Sequence, residues 1–103
     1  MTQPARRHGE YKVPGGKLVA ADLVLSRGRL RTVELSGDFF LEPAETLERM
    51  VAAVEGVPVE MPVEELAVRL RAASEGAVLL GVTPEGAAIA IRRALEAREE
   101  RTG

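Results

Sequence analysis

The chain's two lysines lie five residues apart, in the stretch KVPGGK. We call this stretch the lysine loop: Lys12, Val13, Pro14, Gly15, Gly16 and Lys17. Proline fixes its own φ, and glycine allows positive φ and close backbone approach. This spacing predicts a tight loop whose ammonium groups and exposed amides could hold a phosphate, a carboxylate or an acidic protein surface. An ordinary Pro-Gly turn leading into a strand would use the same residues.

Residues with catalytic chemistry are few. The lysine loop is not a phosphate-binding P-loop, because Leu18 stands where that motif has Ser or Thr and a strand pattern follows instead of a helix. His8 is the one histidine, and we expect it to be solvated in a polar tail. The chain has no cysteine, which excludes thiolate metal sites and cysteine nucleophiles. We therefore predict no catalytic residue and no metal site in this chain.

Composition limits the classes of partner. A chain of 103 residues with 46% hydrophobic content fits a single domain with one modest core. A net charge of −2 argues against nucleic-acid binding as the main function. No apolar run reaches the roughly 20 residues of a membrane span, and the first residues lack the apolar segment of a signal peptide. We expect a cytoplasmic protein with no nucleic acid or membrane partner.

The segment after the lysine loop has the pattern of a β-hairpin over residues 17–35. Odd-numbered apolar residues alternate with polar ones on both arms, so the odd positions form the buried face. A three-residue turn, Ser26-Arg27-Gly28, puts odd residues on one face and pairs Ala21 with Val33. It also sets Asp22 opposite Thr32 and avoids a like-charge pair with Glu34.

Three helices are predicted after the hairpin. The first runs from about Pro43 to Gly56 and buries Leu47, Met50, Val51 and Val54. The second spans about Pro62–Ala73. The third begins at Thr83 as N-cap, with Pro84 in its first turn. Residues 77–82 fit either a buried strand or an ordered connection.

A second candidate contact region lies where the hairpin ends. Phe39 and Phe40 are the only phenylalanines. Adjacent side chains in extended backbone point in different directions, so at least one is available outside the sheet core, although both could also pack against a helix. Ile89 shares a helix side with charged residues, which suggests either a wide buried arc of the helix or a contact with another chain, and we favour the contact. The predicted partner-interface residues are Gly37, Asp38, Phe39, Phe40 and Ile89.

The Gly-Asp-Phe-Phe stretch begins twenty residues after the end of the lysine loop, and the hairpin lies between them. Together these three features resemble the accessory domain of lipoate–protein ligase, in its separate small-subunit form. The resemblance covers about residues 9–98, with flexible tails expected at 1–8 and 99–103. It implies an α+β fold: a small antiparallel sheet followed by three helices packed on one face, similar to iron–sulfur scaffold-like folds. The absence of cysteine argues against any cluster function here.

The resemblance also implies a function. The chain would be a non-catalytic subunit needed for ATP-dependent activation of lipoate to lipoyl-AMP, before transfer to a lysine of lipoyl carrier domains. The expected partner is the catalytic large subunit, in a heterodimer. That subunit would bind lipoate, ATP and magnesium, and this chain would bind no cofactor alone. The lysine loop would dock beside the partner's active site. A stand-alone protein-interaction module with no ligase partner is the alternative.

Overall fold

The structure is a computed structural model that describes residues 5–97. Its strands are β1 (Ala5–Lys12), β2 (Leu18–Ser26), β3 (Arg29–Gly37), β4 (Phe40–Glu42) and β5 (Val78–Leu80). Its helices are α1 (Thr46–Val54), α2 (Val63–Ala73) and α3 (Pro84–Glu96). No helix within residues 5–97 is long and apolar enough to cross a membrane.

The first three strands form an antiparallel sheet in the order β1-β2-β3. Helix α3 packs across β1 and β2, α1 packs against β3, and α2 contacts both of the other helices. The predicted α+β fold, an antiparallel sheet followed by three helices, is therefore confirmed. The odd-numbered face is also buried as predicted. Its buried strand residues are Val19, Ala21, Leu23, Val33 and Leu35.

The N-terminal segment is a strand in its described part, so the prediction of a flexible tail over 1–8 is wrong for residues 5–8. β1 pairs with β2 along its whole length, from Ala5 opposite Leu25 to Lys12 opposite Leu18. Two of its inward positions hold Arg7 and Gly9 instead of apolar side chains, and Gly9 lies directly under the backbone of α3. The alternation that identifies a strand is therefore missing. The tail predicted at 99–103 lies outside the described residues.

The register of the predicted hairpin is wrong, although its buried face is right. Ala21 faces Leu35, not Val33, and Asp22 faces Glu34. The turn has two residues, Arg27 and Gly28, both at positive φ (55° and 75°).

A β-bulge reconciles this turn with the buried face. A two-residue turn alone would pair odd positions with even ones, as it does for Ser26 and Arg29. The register then shifts by one residue, because Arg31 is inserted in β3 between the partners of Val24 and Leu25. Beyond the bulge odd residues face odd residues, whereas Leu30, before it, is buried at an even position.

His8 lies between two carboxylates on the helix-free face of the sheet. Its Nδ1 is 2.7 Å from Asp22 Oδ1 and its Nε2 is 2.8 Å from Glu10 Oε2. These two hydrogen bonds raise the pKa of His8 to about 9, and the one with Glu10 contributes more than the one with Asp22. At neutral pH the imidazolium donates to both carboxylates and offsets the repulsion between Asp22 and Glu34. The expectation of a solvated tail histidine is therefore wrong.

We predict that the free energy of unfolding falls as the pH rises from 6.5 to about 9. Below 6.5 the imidazole is charged in both the folded and unfolded chains, so the stabilisation is fully present. As the pH rises through the folded pKa of about 9, His8 loses its proton and the stabilisation is lost. Urea unfolding at several pH values should show this slope, and His8→Gln should remove it. Because the chain has one histidine, a single imidazole NMR signal reports the midpoint, and a midpoint near 6.5 would contradict the prediction.

The three helices occur where the sequence places them, with narrower bounds for α1. Met50 and Val54 of α1 are buried, whereas Leu47 and Val51 are half-buried beside β3. Thr83 caps α3 by accepting a hydrogen bond from the Gly86 N–H at 2.9 Å. The residues 77–82, which periodicity alone could not assign, contain β5.

Candidate functional site

The lysine loop connects β1 to β2 and is closed by its own hydrogen bonds. The Val13 N–H donates to the Lys17 carbonyl at 3.1 Å, and the Gly16 N–H donates to the Val13 carbonyl at 2.8 Å. Gly15 has a φ of 72°, a left-handed conformation that glycine adopts without strain. The predicted tight loop with a cation at either end is therefore present.

The loop's amides are not a ready anion cradle, which corrects one part of the sequence prediction. Val13, Gly16 and Lys17 use their N–H groups within the protein, and Pro14 has none. Gly15 is then the one residue from 13 to 17 whose N–H has no acceptor among the described residues. Anion binding at this loop would depend on the ammonium groups.

The two ammonium groups have different surroundings. Lys12 Nζ donates to the Gly16 carbonyl at 2.8 Å and lies 3.4 Å from the Val13 carbonyl, so it clasps its own loop. Lys17 Nζ has no acceptor among residues 5–97, and its side chain is exposed. The structure thus separates a loop-stabilising lysine from one that projects into solvent.

The loop is fastened to the second predicted contact region through Gly81. The Lys17 N–H donates to the Gly81 carbonyl at 2.8 Å. A Cβ on Gly81 would lie 2.9 Å from Lys17 Cγ and 3.3 Å from Phe39 Cβ, so three chain segments meet here. The fold therefore brings the lysine loop and residues 37–40, two stretches singled out from sequence, to one end of the molecule.

Strands β4 and β5 form a two-stranded ribbon at this end. Phe40 pairs with Leu80 and Glu42 pairs with Val78, so these four side chains share one face, which we call the ribbon face. Phe40, Leu80 and Val78 are 56%, 57% and 54% exposed. Contiguous exposed apolar side chains of this kind typify protein-binding surfaces.

The remaining residues of the 37–40 stretch have structural surroundings. Phe39 is half-buried and packs against the core. Gly37 lies so close to β2 that a Cβ there would be 2.3 Å from the Leu18 carbonyl oxygen. Asp38 is exposed. Of the two phenylalanines, Phe40 is therefore the one available to a partner.

Ile89 lies in a separate place. It is half-buried in a groove between α2 and α3 whose other lining residues are Val63, Glu64, Ala67 and Glu85. None of these residues belongs to the lysine loop or the ribbon face. The sequence-predicted interface residues thus fall into two separate surfaces.

Sequence reasoning missed the apolar partners of Phe40. From the sequence, Val78 and Leu80 are only part of the unassigned residues 77–82, because their pairing with β4 depends on the tertiary fold. Leu18, 46% exposed at the start of β2, was also not singled out. Val78 and Leu80 are exposed on either side of half-buried Leu79. This alternation could have been predicted only if residues 77–82 had been assigned to a strand.

The groups at this end of the molecule suit binding. Within residues 5–97 there is no group of three or more His, Asp or Glu side chains placed to hold a metal ion. The chemistry present at this end of the molecule is one projecting ammonium group, a clasped loop and an apolar face. Such a combination suits contact with a protein surface or an anion presented by one.

Comparison with known proteins gives one structural likeness. No protein-family model and no curated protein matches the chain. A chain of a solved archaeal lipoylation system does match, in a structure of a bipartite lipoate protein ligase and its E2 lipoyl domain from Thermoplasma acidophilum. The TM-score is 0.64 at 25% sequence identity, over 89% of this chain and 98% of that chain. The likeness therefore applies to the entire fold and not to a shared substructure.

Proposed function

We propose that this chain is the non-catalytic accessory subunit of a two-component lipoate–protein ligase. The likeness to a chain of a bipartite ligase system, over nearly the full length of both chains, is the observation that carries the proposal. The Lys-Val-Pro-Gly-Gly-Lys and Gly-Asp-Phe-Phe stretches support it independently.

In this proposal the chain forms a heterodimer with a catalytic large subunit. Lipoate, ATP and magnesium bind to that subunit, which forms lipoyl-AMP and transfers the lipoyl group to a lysine of lipoyl carrier domains. This chain needs no cofactor of its own. Its contribution is to the adenylation step, through the end of the molecule that holds the lysine loop and the ribbon face.

The geometry favours docking by this end. Phe40, Leu80 and Val78 are each more than half exposed, and burying them against a partner would remove apolar surface from water. Lys17 lies at the same end of the molecule, because its backbone N–H is hydrogen-bonded to the carbonyl of Gly81, the residue after Leu80. One docking event would therefore bring the ammonium group of Lys17 to the partner's surface.

The test is lipoyl-AMP formation from lipoate and Mg-ATP by a candidate large subunit, measured with and without this chain. We expect adenylate only when both chains are present. A large subunit that is equally active alone, and that this chain neither binds nor alters, would overturn the proposal. The alternative of a stand-alone interaction module would then be favoured, because the exposed ribbon face would still need a partner.

Replacing Phe40 with alanine should weaken the heterodimer without destabilising the chain. Phe40 is 56% exposed, so we expect an unfolding free energy within about 0.5 kcal/mol of the wild type. Central aromatic anchors often contribute about 2 kcal/mol or more to binding, so the Kd should rise at least about tenfold. Calorimetric titration with the large subunit measures the Kd, and thermal unfolding measures stability.

Val68→Ala is the matched control for this substitution. Val68 is 67% exposed but lies on α2, so its loss should leave the Kd unchanged. A Phe40→Ala chain with a lower melting temperature and an unaltered Kd would show that Phe40 supports the fold and not the interface.

A further inference from the structure

The outer edge of β3 is paired over only half its length. Leu30 donates its N–H to the Val57 carbonyl at 2.9 Å and accepts from the Gly56 N–H at 2.6 Å. The Val59 N–H donates to the Gly28 carbonyl at 2.9 Å. Beyond Leu30 no backbone group within residues 5–97 pairs with this edge. The part of β3 from 33 to 37 is therefore an open sheet edge.

The open edge presents peptide groups in a defined direction. The Val33 N–H points away from β2, since it donates to the side-chain Oε2 of Glu55 at 3.1 Å. Peptide groups alternate in direction along an antiparallel strand, so the N–H and C=O of Leu35 also face outward. The Val33 N–H thus has the Glu55 carboxylate as its acceptor and not a neighbouring strand. Unpaired edges of this kind are templates for an added strand.

An apolar trough of about 300 Å³ runs beside this edge, between β3 and α1. Its apolar lining consists of Val33, Leu35, Leu47, Val51 and Ala52. Leu47 and Val51 of α1 are half-buried, and both line the trough beside the open edge. An added strand would place every second side chain against them.

The charge of the trough selects the occupant. Its remaining lining residues are Glu34, Glu48 and Glu55, and neither lysine nor arginine lines it among the described residues. An incoming strand with acidic side chains would be repelled, whereas lysine or arginine would be attracted. Glu34 lies on the face opposite to the trough's apolar floor, beside the outward side chains of an added strand.

We propose that the open edge of β3 and its trough bind an extended, basic segment of a partner protein as a fourth strand of the sheet. Apolar side chains of that segment pack on Leu47 and Val51, and the alternating basic side chains lie on the opposite face, beside Glu34. Glu48 and Glu55, on the helix side of the edge, add to the negative potential that attracts the segment. The main-chain partners are the outward N–H and C=O of Leu35 and the outward C=O of Val33. This surface is distinct from the ribbon face and does not depend on the proposed ligase function.

The test uses the whole chain, labelled with ¹⁵N, and the peptide acetyl-KVKVKVK-amide. We expect saturable binding, with amide shift changes concentrated at residues 33–37 and 47–52 and slowed hydrogen exchange at the Leu35 N–H. The peptide acetyl-EVEVEVE-amide should not bind. Absence of binding, or shifts at the ribbon face or scattered over the surface, would overturn the proposal.

A charge-reversed variant sharpens the test. Glu34→Lys combined with Glu48→Lys should raise the Kd for the basic peptide at least tenfold at low salt. Glu60→Lys combined with Glu75→Lys, which makes the same change in charge at exposed positions outside the trough, should leave the Kd within twofold. Equal weakening by both variants would show unspecific attraction and overturn the proposal. Since no ligase subunit is present, failure here leaves the adenylation result untouched.

Discussion

Gly9→Ala should be among the most destabilising small substitutions in this chain. A Cβ on Gly9 would lie 2.2 Å from the Ala94 backbone nitrogen and 2.6 Å from the Ala90 carbonyl oxygen. These are backbone atoms of α3, which cannot rotate away as a side chain can, so the helix must move off the sheet. We expect a loss of about 3 kcal/mol or more, at the upper end of overpacking costs.

The sign of this effect is diagnostic. Strand propensity alone predicts that Gly9→Ala stabilises the chain by roughly 0.5–1 kcal/mol, because glycine is a poor strand former. Gly76→Ala is the control: its Cβ would enter open space, and only its φ of 83° opposes the change, at a cost of about 1 kcal/mol. Thermal and urea unfolding of both variants give the comparison. A Gly9→Ala chain as stable as the wild type would mean that α3 does not lie as close to β1 as described.

The same contact explains why β1 could not be found from the sequence. A strand is identified by alternating apolar residues, and in β1 the inward positions hold Arg7 and Gly9 where apolar residues would be expected. The helix lies against the strand backbone at Gly9, through Ala90 and Ala94. Close backbone packing here replaces the apolar side chains on which pattern reasoning relies.

The β2–β3 hairpin shows the opposite case, in which pattern gave the face but not the register. Burial of Val33 and Leu35 was predictable from alternation. The correct pairing requires two irregularities that compensate, the two-residue turn at Arg27-Gly28 and the bulge at Arg31. Neither irregularity can be read from the alternation of apolar and polar residues. A two-residue turn and a one-residue bulge together place odd residues opposite odd residues, as a single three-residue turn would.

The predicted register avoids a like-charge pair between Asp22 and Glu34, but the structure contains this pair. The reason lies outside the hairpin. Asp22 faces Glu34, but His8 reaches Asp22 from β1 at 2.7 Å. A local pairing rule could not include a cation from a strand that the sequence did not reveal. The candidate site had the same limit: residues 12–17 and 37–40 were predicted separately, and Gly81, which joins them, was not.

Lys17→Met should strongly reduce adenylate formation if the accessory role is correct. Methionine keeps an aliphatic side chain where Lys17 Cγ packs over Gly81, and it removes the ammonium group. In the adenylation transition state negative charge is redistributed on the α-phosphate of ATP, and a cation reaching it would stabilise that state. We expect the rate of lipoyl-AMP formation to fall at least about tenfold, which corresponds to about 1.4 kcal/mol.

Lys12→Met is the matched control, because it removes one positive charge from the same loop. Lys12 Nζ is held by the Gly16 carbonyl at 2.8 Å, so its loss should loosen the loop and lower the rate less than Lys17→Met does. Heterodimer affinity measured in parallel separates two roles for Lys17. A lower rate with an unchanged Kd places the ammonium group at the reacting phosphates, whereas a raised Kd with a normal rate at saturation makes it a partner contact. Equal rate losses in both variants would contradict the division of labour between the two lysines, since the net charge of the loop would then be all that matters.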